Sequence, residues 1–237
     1  MLKPNVAISS ETNFLDGTVL LFNKPITWSS FDVVKKVRNI VKSAKKIKKI
    51  KVGHAGTLDP LADGLLIICT GKFTKKIDEI QAEKKVYTGE ITLGETTPSY
   101  DKETEVDMTF KTSHITDELL HSTCKIFEGQ IMQKPPIFSA LKRERKRLYQ
   151  HAREGSIIEI KPREVEIEKF KITNISMPKI QFSVVCSKGT YIRSLAFDFG
   201  LALKSGAHLS SLRREKIGEF DLKEAYSIES FRADILK

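Results

Sequence analysis

The spacing of hydrophobic residues along the chain predicts a series of short strands and helices. An apolar run or strict alternation favours a strand, whereas a repeat every three or four residues favours a helix. Strands are predicted at residues 18–23, 65–70, 85–93, 129–133, 164–187 and 207–220. Helices are predicted at residues 30–41, 73–82, 116–127 and 192–203, with a short helix within residues 221–236.

Two of these elements predict the environment of single side chains. In the first helix, Ser29 or Ser30 can act as the N-cap. The residues expected to face the core are Phe31, Val34, Val37 and Val41. In the third strand, the period of two places Tyr87 on the same face as Ile91 and Leu93. Tyr87 is therefore expected to point inward, either as a core aromatic residue or as part of a site.

The chain is basic, which favours a polyanionic partner. It has 40 Lys and Arg residues against 30 Asp and Glu, a formal net charge of +10. A merely basic surface explains this excess equally well, because net charge reports only the electrostatic field. The distribution is more informative, since basic residues flank a glycine-rich stretch at residues 53–71. The basic groups are Lys42, Lys45, Lys46, Lys48, Lys49 and Lys51, then Lys72, Lys75 and Lys76, then Lys142, Arg143, Arg145, Lys146 and Arg147, and finally Arg213, Arg214 and Lys216.

The segment at residues 135–155 combines charge with aromatic side chains. Phe138 and Tyr149 are interleaved there with arginine and lysine. This arrangement suits neutralisation of an RNA backbone together with stacking on bases. The alternative is a protruding helical hairpin with a solvated charged face.

Other features exclude several classes of protein. No apolar run approaches the roughly 20 residues that cross a bilayer, and the N-terminus lacks the apolar core of a signal peptide, so we expect a cytoplasmic protein without membrane contact. Cys69, Cys124 and Cys186 are far apart and odd in number, which predicts buried thiols. No spaced set of metal ligands accompanies the five histidines, and metal-free chemistry is expected. We expect a loose lead-in at residues 1–16 and a single domain at residues 17–237.

The stretch GHAGTLDPLADGLLIICTG (residues 53–71) is the strongest candidate for a site. Its glycines can adopt conformations closed to other residues, and Pro60 biases Asp59 out of the helical region. A carboxylate in such a loop can act as a nucleophile or as a general base. The spacing of Asp59 and Asp63 gives only weak support to a paired-carboxylate hydrolase. A phosphate-binding P-loop is excluded, because the residue after Gly-Lys is not Ser or Thr.

Several short motifs occur in a fixed order along the chain. They are LFNKP (residues 21–25), GHAGTLDPLADG (53–64), KVY (85–87) and SKGTYIR (187–193), with SALKRERKRLY (139–149) and SLRR (211–214) as two weaker matches. This ordered set resembles the TruB family of tRNA pseudouridine synthases. The resemblance covers residues 17–220, nearly the whole chain.

The resemblance implies an α+β enzyme with a mixed, largely antiparallel central sheet, flanking helices and a protruding basic hairpin, the pseudouridine synthase fold. It implies isomerisation of uridine to pseudouridine in the T loop of tRNA, at the position numbered 55, without a cofactor. The base is cleaved from C1′, rotated and rejoined through C5, and an aspartate either adds to the sugar or base or manages proton transfer at the sugar. The expected partner is the T stem-loop of tRNA. A monomer without an obligatory protein partner is expected.

The resemblance also implies roles for individual residues. Asp59 matches the family's essential aspartate. His54 matches the residue that fills the space left in the T loop when the target nucleotide is flipped out of the stack. Tyr87 matches the aromatic residue that stacks on the flipped base and helps proton transfer.

Four further residues match positions that support or line the site. Arg193 matches an arginine paired with the catalytic carboxylate, and Tyr191 matches a pocket-lining tyrosine beside it. Lys24 belongs to a structural motif that supports the site, and Leu212 matches a residue of the uracil pocket. Contacts to the RNA backbone are expected from Lys45, Lys46, Lys48, Lys49, Lys142, Arg143, Arg145, Lys146 and Arg147.

Two features depart from the family's usual pattern. Asp63 stands where a small hydroxyl residue is usual, and a second carboxylate facing Asp59 would raise the pKa of Asp59. Asp63 is therefore expected to point outward or to meet a basic partner. Many members also continue into a C-terminal PUA domain, and this chain stops about where that domain would begin. A short form without the PUA domain is expected, with the lysines at residues 42–51 as a partial substitute in RNA binding.

Two other functions remain open on the sequence alone. One is guide-RNA-dependent pseudouridylation of other RNAs, as in the dyskerin-like branch, although that branch uses a PUA domain to hold its guide. The other is a tRNA-binding or folding chaperone that opens the T loop without modifying it.

Overall fold

The computed structural model describes residues 8–9, 11–139, 141–143, 146–148, 150, 154 and 158–237. The fold is α+β with a mixed, largely antiparallel central sheet and flanking helices, as predicted. Among the described residues, no helix combines the length and apolar character that a membrane crossing requires.

The longer elements agree with the predicted ones, whereas several short strands were not predicted. The strands are β1 (Val19–Lys24), β2 (Val52–His54), β3 (Ala62–Thr70), β4 (Lys85–Leu93), β5 (Glu95–Thr96), β6 (Met108–Thr109), β7 (Gly129–Gln133), β8 (Lys142–Arg143), β9 (Lys146–Arg147), β10 (Arg163–Ser176), β11 (Lys179–Cys186), β12 (Ala207–Ile217) and β13 (Phe220–Asp221). The α-helices are α1 (Ser30–Ala44), α2 (Ile77–Ala82), α3 (Asp117–Ile126), α4 (Ile192–Ala202) and α5 (Ile228–Ile235). Two 3-10 helices lie at Gly71–Lys76 and Leu222–Glu224.

The chain divides into two compact units, each described here by itself. The first unit comprises Met1–Tyr87 and Leu212–Lys237, and the second comprises Thr88–Ser211. The boundaries fall within β4 and β12, so both strands contribute residues to each unit. The assignment of residues 17–237 to one domain stays a prediction.

In the first unit, β3 is the strand with which β1, β2 and β12 all pair. β1 and β2 pair with it antiparallel, and β12 pairs with its N-terminal end in parallel. The core beside β1 is aromatic, with the rings of Phe22 and Phe231 edge-to-face at 5.1 Å. Phe14, within the predicted lead-in, is buried and packs edge-on against Phe231. Burial of each such side chain contributes roughly 1.5–3 kcal/mol.

Helix α1 confirms the predicted cap but corrects one predicted core residue. Ser29 is the N-cap and forms a capping box with Asp32. Phe31, expected in the core, is 60% exposed, so that prediction was wrong. The buried residues of the helix are Ser30, Val33, Val34, Val37 and Val41. The apolar stripe is rotated toward Ser30 because the Ser30 hydroxyl bonds inward to the backbone of a neighbouring loop.

In the second unit, β10 pairs antiparallel with both β7 and β11. The rings of Phe170, on β10, and Phe199, on α4, meet edge-to-face at 5.4 Å. The strand predicted at residues 164–187 is thus two strands joined by a turn at Met177-Pro178. Within the predicted basic hairpin, β8 and β9 pair antiparallel, whereas the described residues Leu148 and Gln150 are helical.

The helix predicted at residues 73–82 has a different start. A 3-10 helix occupies Gly71–Lys76, and only Ile77–Ala82 is α-helical. The apolar spacing does not distinguish the two helix types in a short segment, because their side-chain periods are close.

Candidate active site

Asp59 lies in the tight loop that joins β2 to β3. The two strands are antiparallel, with His54 opposite Ile68. Within the loop, the N–H of Ala62 donates to the carbonyl oxygen of Asp59 at 3.1 Å, which closes a turn around Asp59-Pro60. The N–H of Thr27 donates to the carbonyl oxygen of Pro60 at 2.7 Å. The backbone on both sides of the Asp59 side chain is therefore held in place.

The start of α1 holds the loop from one side. The Ser30 hydroxyl accepts from the N–H of Leu58 at 2.8 Å and donates to the carbonyl oxygen of Leu58 at 3.0 Å. Both Ser30 and Leu58 are buried. One hydroxyl thus satisfies both the backbone N–H and the carbonyl oxygen of Leu58, the residue just before Asp59.

Arg214 holds the loop from within the unit. Its side chain is 1% exposed, and its guanidinium donates to the carbonyl oxygens of Gly56 at 3.1 Å, Leu65 at 2.8 Å and Thr57 at 3.4 Å. The first two bonds span both ends of the loop. A planar group with five N–H donors is suited to bridge several backbone carbonyls at once.

Gly64 lets the Arg214 backbone come close. The two residues are opposite each other in the parallel pairing of β3 and β12. Gly64 has φ of +103°, and a Cβ there would lie 2.5 Å from the carbonyl oxygen of Arg214. Only glycine therefore fits at this position.

Lys24 is a buried cation whose charge interacts with those of Asp59 and Asp63. Its side chain is fully buried, and Nζ donates to the carbonyl oxygens of Pro25 at 2.9 Å and Trp28 at 2.7 Å. Burial lowers the pKa of Lys24 to about 8, and the negative charges of Asp63 and Asp59 oppose this shift. Lys24 is thus still largely protonated at pH 7 and attracts both carboxylates.

The pKa of His54 is lowered, which favours the neutral imidazole. Burial is the main cause that lowers its pKa, and the positive charge of Arg214 lowers it further. The residue is half-buried at the end of β2, next to the loop that carries Asp59. An uncharged imidazole can be buried against a ligand without the cost of desolvating a charge.

Asp63 meets a basic partner, which confirms the expectation for this unusual residue. Its carboxylate lies 3.2 Å from a guanidinium nitrogen of Arg213, and both side chains are about one-third to one-half exposed. The two residues are opposite each other across β3 and β12. The carboxylate of Asp63, at the start of β3, is thus paired with Arg213 on β12.

We expect Asp63→Thr to leave the pH profile of turnover within about one unit of the original. The ion pair with Arg213 is exposed, and its loss should cost less than about 1 kcal/mol of unfolding free energy. The pH dependence of pseudouridine formation, together with thermal unfolding, measures both. A full-unit displacement of the profile would mean that Asp63 is coupled to the reaction, directly or through Lys24, whose pKa its charge raises.

Tyr87 and Leu212 are the other predicted residues of the first unit. Tyr87 is 8% exposed, so the predicted inward orientation is confirmed. Leu212 is half-buried on β12 and lies opposite Ala62, the residue that ends the Asp59 loop.

Tyr191, in the second unit, is held by a residue that the sequence did not reveal. The N–H of Tyr191 donates to the side-chain oxygen of Gln133 at 2.8 Å, and the Gln133 amide donates back to the Tyr191 carbonyl at 3.0 Å. The Arg163 guanidinium lies 4.9 Å from the centre of the Tyr191 ring, a cation–π arrangement. No local pattern marks Gln133 or Arg163, because both are far from Tyr191 in sequence.

Arg193 is buried within the second unit and pairs with a carboxylate there. Its Nε lies 3.6 Å from an oxygen of Asp101, and the two side chains are 4% and 7% exposed. The guanidinium also donates to the carbonyl oxygen of Phe138 at 2.9 Å. Asp101 was missed because it lies in a polar segment where no apolar pattern marks single residues. That Arg193 also serves a catalytic carboxylate stays a prediction.

The residues expected to contact the RNA backbone fall into two groups. Lys48 and Lys49 line a basic cavity on the first unit, whereas Lys45 lies over the ring of Phe14 at 5.5 Å. Arg145 lies outside the described residues. For the neighbouring Lys142, Arg143, Lys146 and Arg147, the structure describes only the backbone of β8 and β9.

The three cysteines are buried and free, as predicted. Burial raises the pKa of the Cys69 and Cys124 thiols to about 12, which keeps both protonated and unreactive. Within the described part of the chain, no group of three or more His, Cys, Asp or Glu side chains is placed to share a metal ion. That the reaction needs no cofactor stays a prediction.

Comparison with known families identifies the class of protein. The model of a family described as "TruB family pseudouridylate synthase (N terminal domain)" matches residues 42–192. The fold and this match define a pseudouridylate synthase.

Curated relatives extend the match to nearly the whole chain. A protein of Flavobacterium johnsoniae named tRNA pseudouridine synthase B is 57% identical over 94% of this chain and 97% of its own length. A protein of Parabacteroides distasonis with the same name is 52% identical over 92% of each chain. The chain belongs to the TruB family.

Solved structures share the fold. A chain from a Cbf5-Nop10-Gar1 complex has a TM-score of 0.69 at 25% identity, and one from an H/ACA RNP bound to a substrate RNA has a TM-score of 0.68 at 24% identity. The matches cover 98% and 96% of this chain. This chain spans only 60% and 57% of those two chains.

Proposed function

We propose that this enzyme isomerises uridine 55 in the T loop of tRNA to pseudouridine, without a guide RNA. The observation that carries the proposal is the similarity, along nearly the full length of both chains, to relatives named tRNA pseudouridine synthase B. The reaction is proposed to need no cofactor and no protein partner, with the monomer as the active form and the cytoplasm, where tRNA is found, as its location.

Asp59 is the proposed reacting group. The bond from N1 of uracil to C1′ breaks, the base rotates, and a bond from C5 to C1′ forms. C5 loses a proton and N1 gains one, so that atoms and electrons balance without an oxidant or reductant. Asp59 either adds covalently or accepts a proton at the sugar, and both roles require an ionised carboxylate at a fixed place. The bonds from Ser30 and Arg214 to the loop supply that rigidity.

The other predicted residues are proposed to bind the flipped nucleotide. A neutral His54 would fill the gap that the nucleotide leaves in the T loop. Tyr87 would stack on the uracil, and Leu212 would line its pocket. Tyr191 and Arg193 are proposed to contact the substrate as well, and within the second unit Gln133 and Asp101 set their positions.

The proposal is tested by incubating the protein alone with an unmodified tRNA transcript and mapping pseudouridine by carbodiimide chemistry. The expected result is one new pseudouridine, at position 55. A transcript with cytidine at position 55 is the control and should gain none. The absence of any T-loop product would contradict the proposed function.

The same experiment separates the guide-dependent alternative. The structural similarity to a chain of a Cbf5-Nop10-Gar1 complex is the observation that favours this alternative. Because no guide RNA is present in the reaction, modification of position 55 would exclude a requirement for one.

A further inference from the structure

A cavity on the first unit gathers basic side chains from separate parts of the chain. Its volume is about 660 Å³. Arg38 and a lysine one turn later come from α1, Lys48, Lys49 and Lys51 come from the segment before β2, and Lys72 and Lys75 come from the 3-10 helix after β3. The two lysine groups that flank residues 53–71 in the sequence thus meet in one cavity, here called the basic cavity.

The charge of the basic cavity is largely uncompensated. No acidic residue of the described chain lines it. Lys72 pairs with Asp16 at 2.8 Å, but this pair is highly exposed. Among the described residues, no ion pair engages Lys48, Lys49, Lys51 or Lys75. Like charges in one cavity repel each other, and a bound polyanion relieves that repulsion.

The walls of the basic cavity are held by hydrogen bonds. The Arg38 guanidinium donates to the carbonyl oxygen of Val52 at 3.1 Å, and the N–H of Gly71 donates to the carbonyl oxygen of Lys51 at 2.9 Å. Gly71 has φ of +52°, and a Cβ there would clash with the carbonyl oxygen of Leu15. The backbones that present Lys51 and Lys72 are therefore fixed relative to each other within this unit.

The basic cavity lies at the far end of β3 from Asp59. The Asp59 loop enters β3 at Ala62, and β3 ends at Thr70, next to the cavity. At about 3.3 Å per residue, these ends are roughly 26 Å apart. A ligand of the basic cavity is therefore separate from the nucleotide on which Asp59 acts.

The chemistry of the lining selects phosphates and not bases. The described lining contains lysines, an arginine and small or aliphatic residues, but no aromatic ring on which a base could stack. Lysine ammonium groups neutralise backbone phosphates without reading sequence. We propose that the basic cavity binds backbone phosphates of the substrate RNA, away from the flipped nucleotide. This proposal rests on the proposed function for the identity of the RNA.

The test compares two double variants with the same change in charge. Lys48→Gln/Lys49→Gln removes two ammonium groups from the cavity. Lys223→Gln/Lys237→Gln removes two exposed ammonium groups from the C-terminal part of the same unit, outside the cavity. The affinity for unmodified tRNA is measured over a range of salt concentrations, with pseudouridine formation at saturating tRNA measured in parallel.

The cavity variant is expected to bind tRNA about tenfold more weakly and to lower the slope of log K against log salt by about 2, one unit for each lost phosphate contact. The control variant should keep the slope of the original protein. Turnover at saturating tRNA should be unchanged in both, because neither pair belongs to the loop that carries Asp59.

Two results would overturn the proposal. An equal loss in both variants would show that only the general field matters, and an unchanged slope in the cavity variant would show that no phosphate binds there. The proposed function is tested separately, with the unaltered protein. If that protein binds tRNA but forms no pseudouridine, the function fails while a lowered slope still supports the cavity.

Discussion

Asp59→Asn is expected to lower pseudouridine formation by about 10²- to 10⁴-fold while leaving tRNA affinity unchanged. Asparagine has the same shape but can neither add to the sugar nor accept its proton, and loss of such a group typically costs 10²- to 10⁴-fold. The loop should keep its structure, because the bonds at Asp59 and Leu58 use backbone atoms. Pseudouridine mapping and tRNA binding measure the two quantities.

Asp63→Thr is the matched control for this variant. It removes the nearby carboxylate at the start of β3, which pairs with Arg213 on β12. Turnover within about tenfold of the original in Asp59→Asn would contradict the assignment of Asp59 as the reacting group. If Asp59→Asn kept the full biological effect of the protein without modification, the chaperone function would be favoured.

Arg214→Met is expected to lower the free energy of unfolding by about 2–5 kcal/mol and to reduce turnover. Methionine fills much of the space but leaves the carbonyl oxygens of Gly56 and Leu65 buried without their donor. Each buried acceptor that loses its partner costs roughly 1–3 kcal/mol. Denaturant unfolding measures the loss, and amide hydrogen exchange at residues 55–62 shows whether the loop has loosened.

Arg213→Met is the neighbouring control. Its guanidinium is half-exposed and pairs with the partly exposed carboxylate of Asp63. Loss of this pair should lower the free energy of unfolding by less than about 1 kcal/mol. If Arg214→Met does not fold, Arg214→Lys keeps the charge while losing the fork of donors. Equal stability of the Arg213 and Arg214 variants would refute the role of Arg214 in holding the loop.

The local spacing of hydrophobic residues was sufficient to predict most of the longer strands and helices. The strand predicted at residues 85–93 is β4, and the strand predicted at residues 129–133 is β7, because alternation directly records which side chains are buried. The cap at Ser29 is likewise a local property, since its partner Asp32 is three residues away. Phe31 was wrongly predicted to face the core, because a rotation of the helix by one residue exchanges a buried position for an exposed one. That rotation depends on the bond from Ser30 to Leu58, a residue far away in sequence.

The sequence by itself determined the family, the glycine-rich loop with Asp59, and most of the longer strands and helices. These are properties of contiguous residues. Only the tertiary structure decided what fixes the loop and what surrounds the other predicted residues: Arg214 at Gly56, Gln133 at Tyr191, Asp101 at Arg193, and Arg213 at Asp63. Most of these partners are tens of residues or more apart in sequence. The pairing of their side chains depends on where distant strands end, which no local pattern of hydrophobic residues encodes.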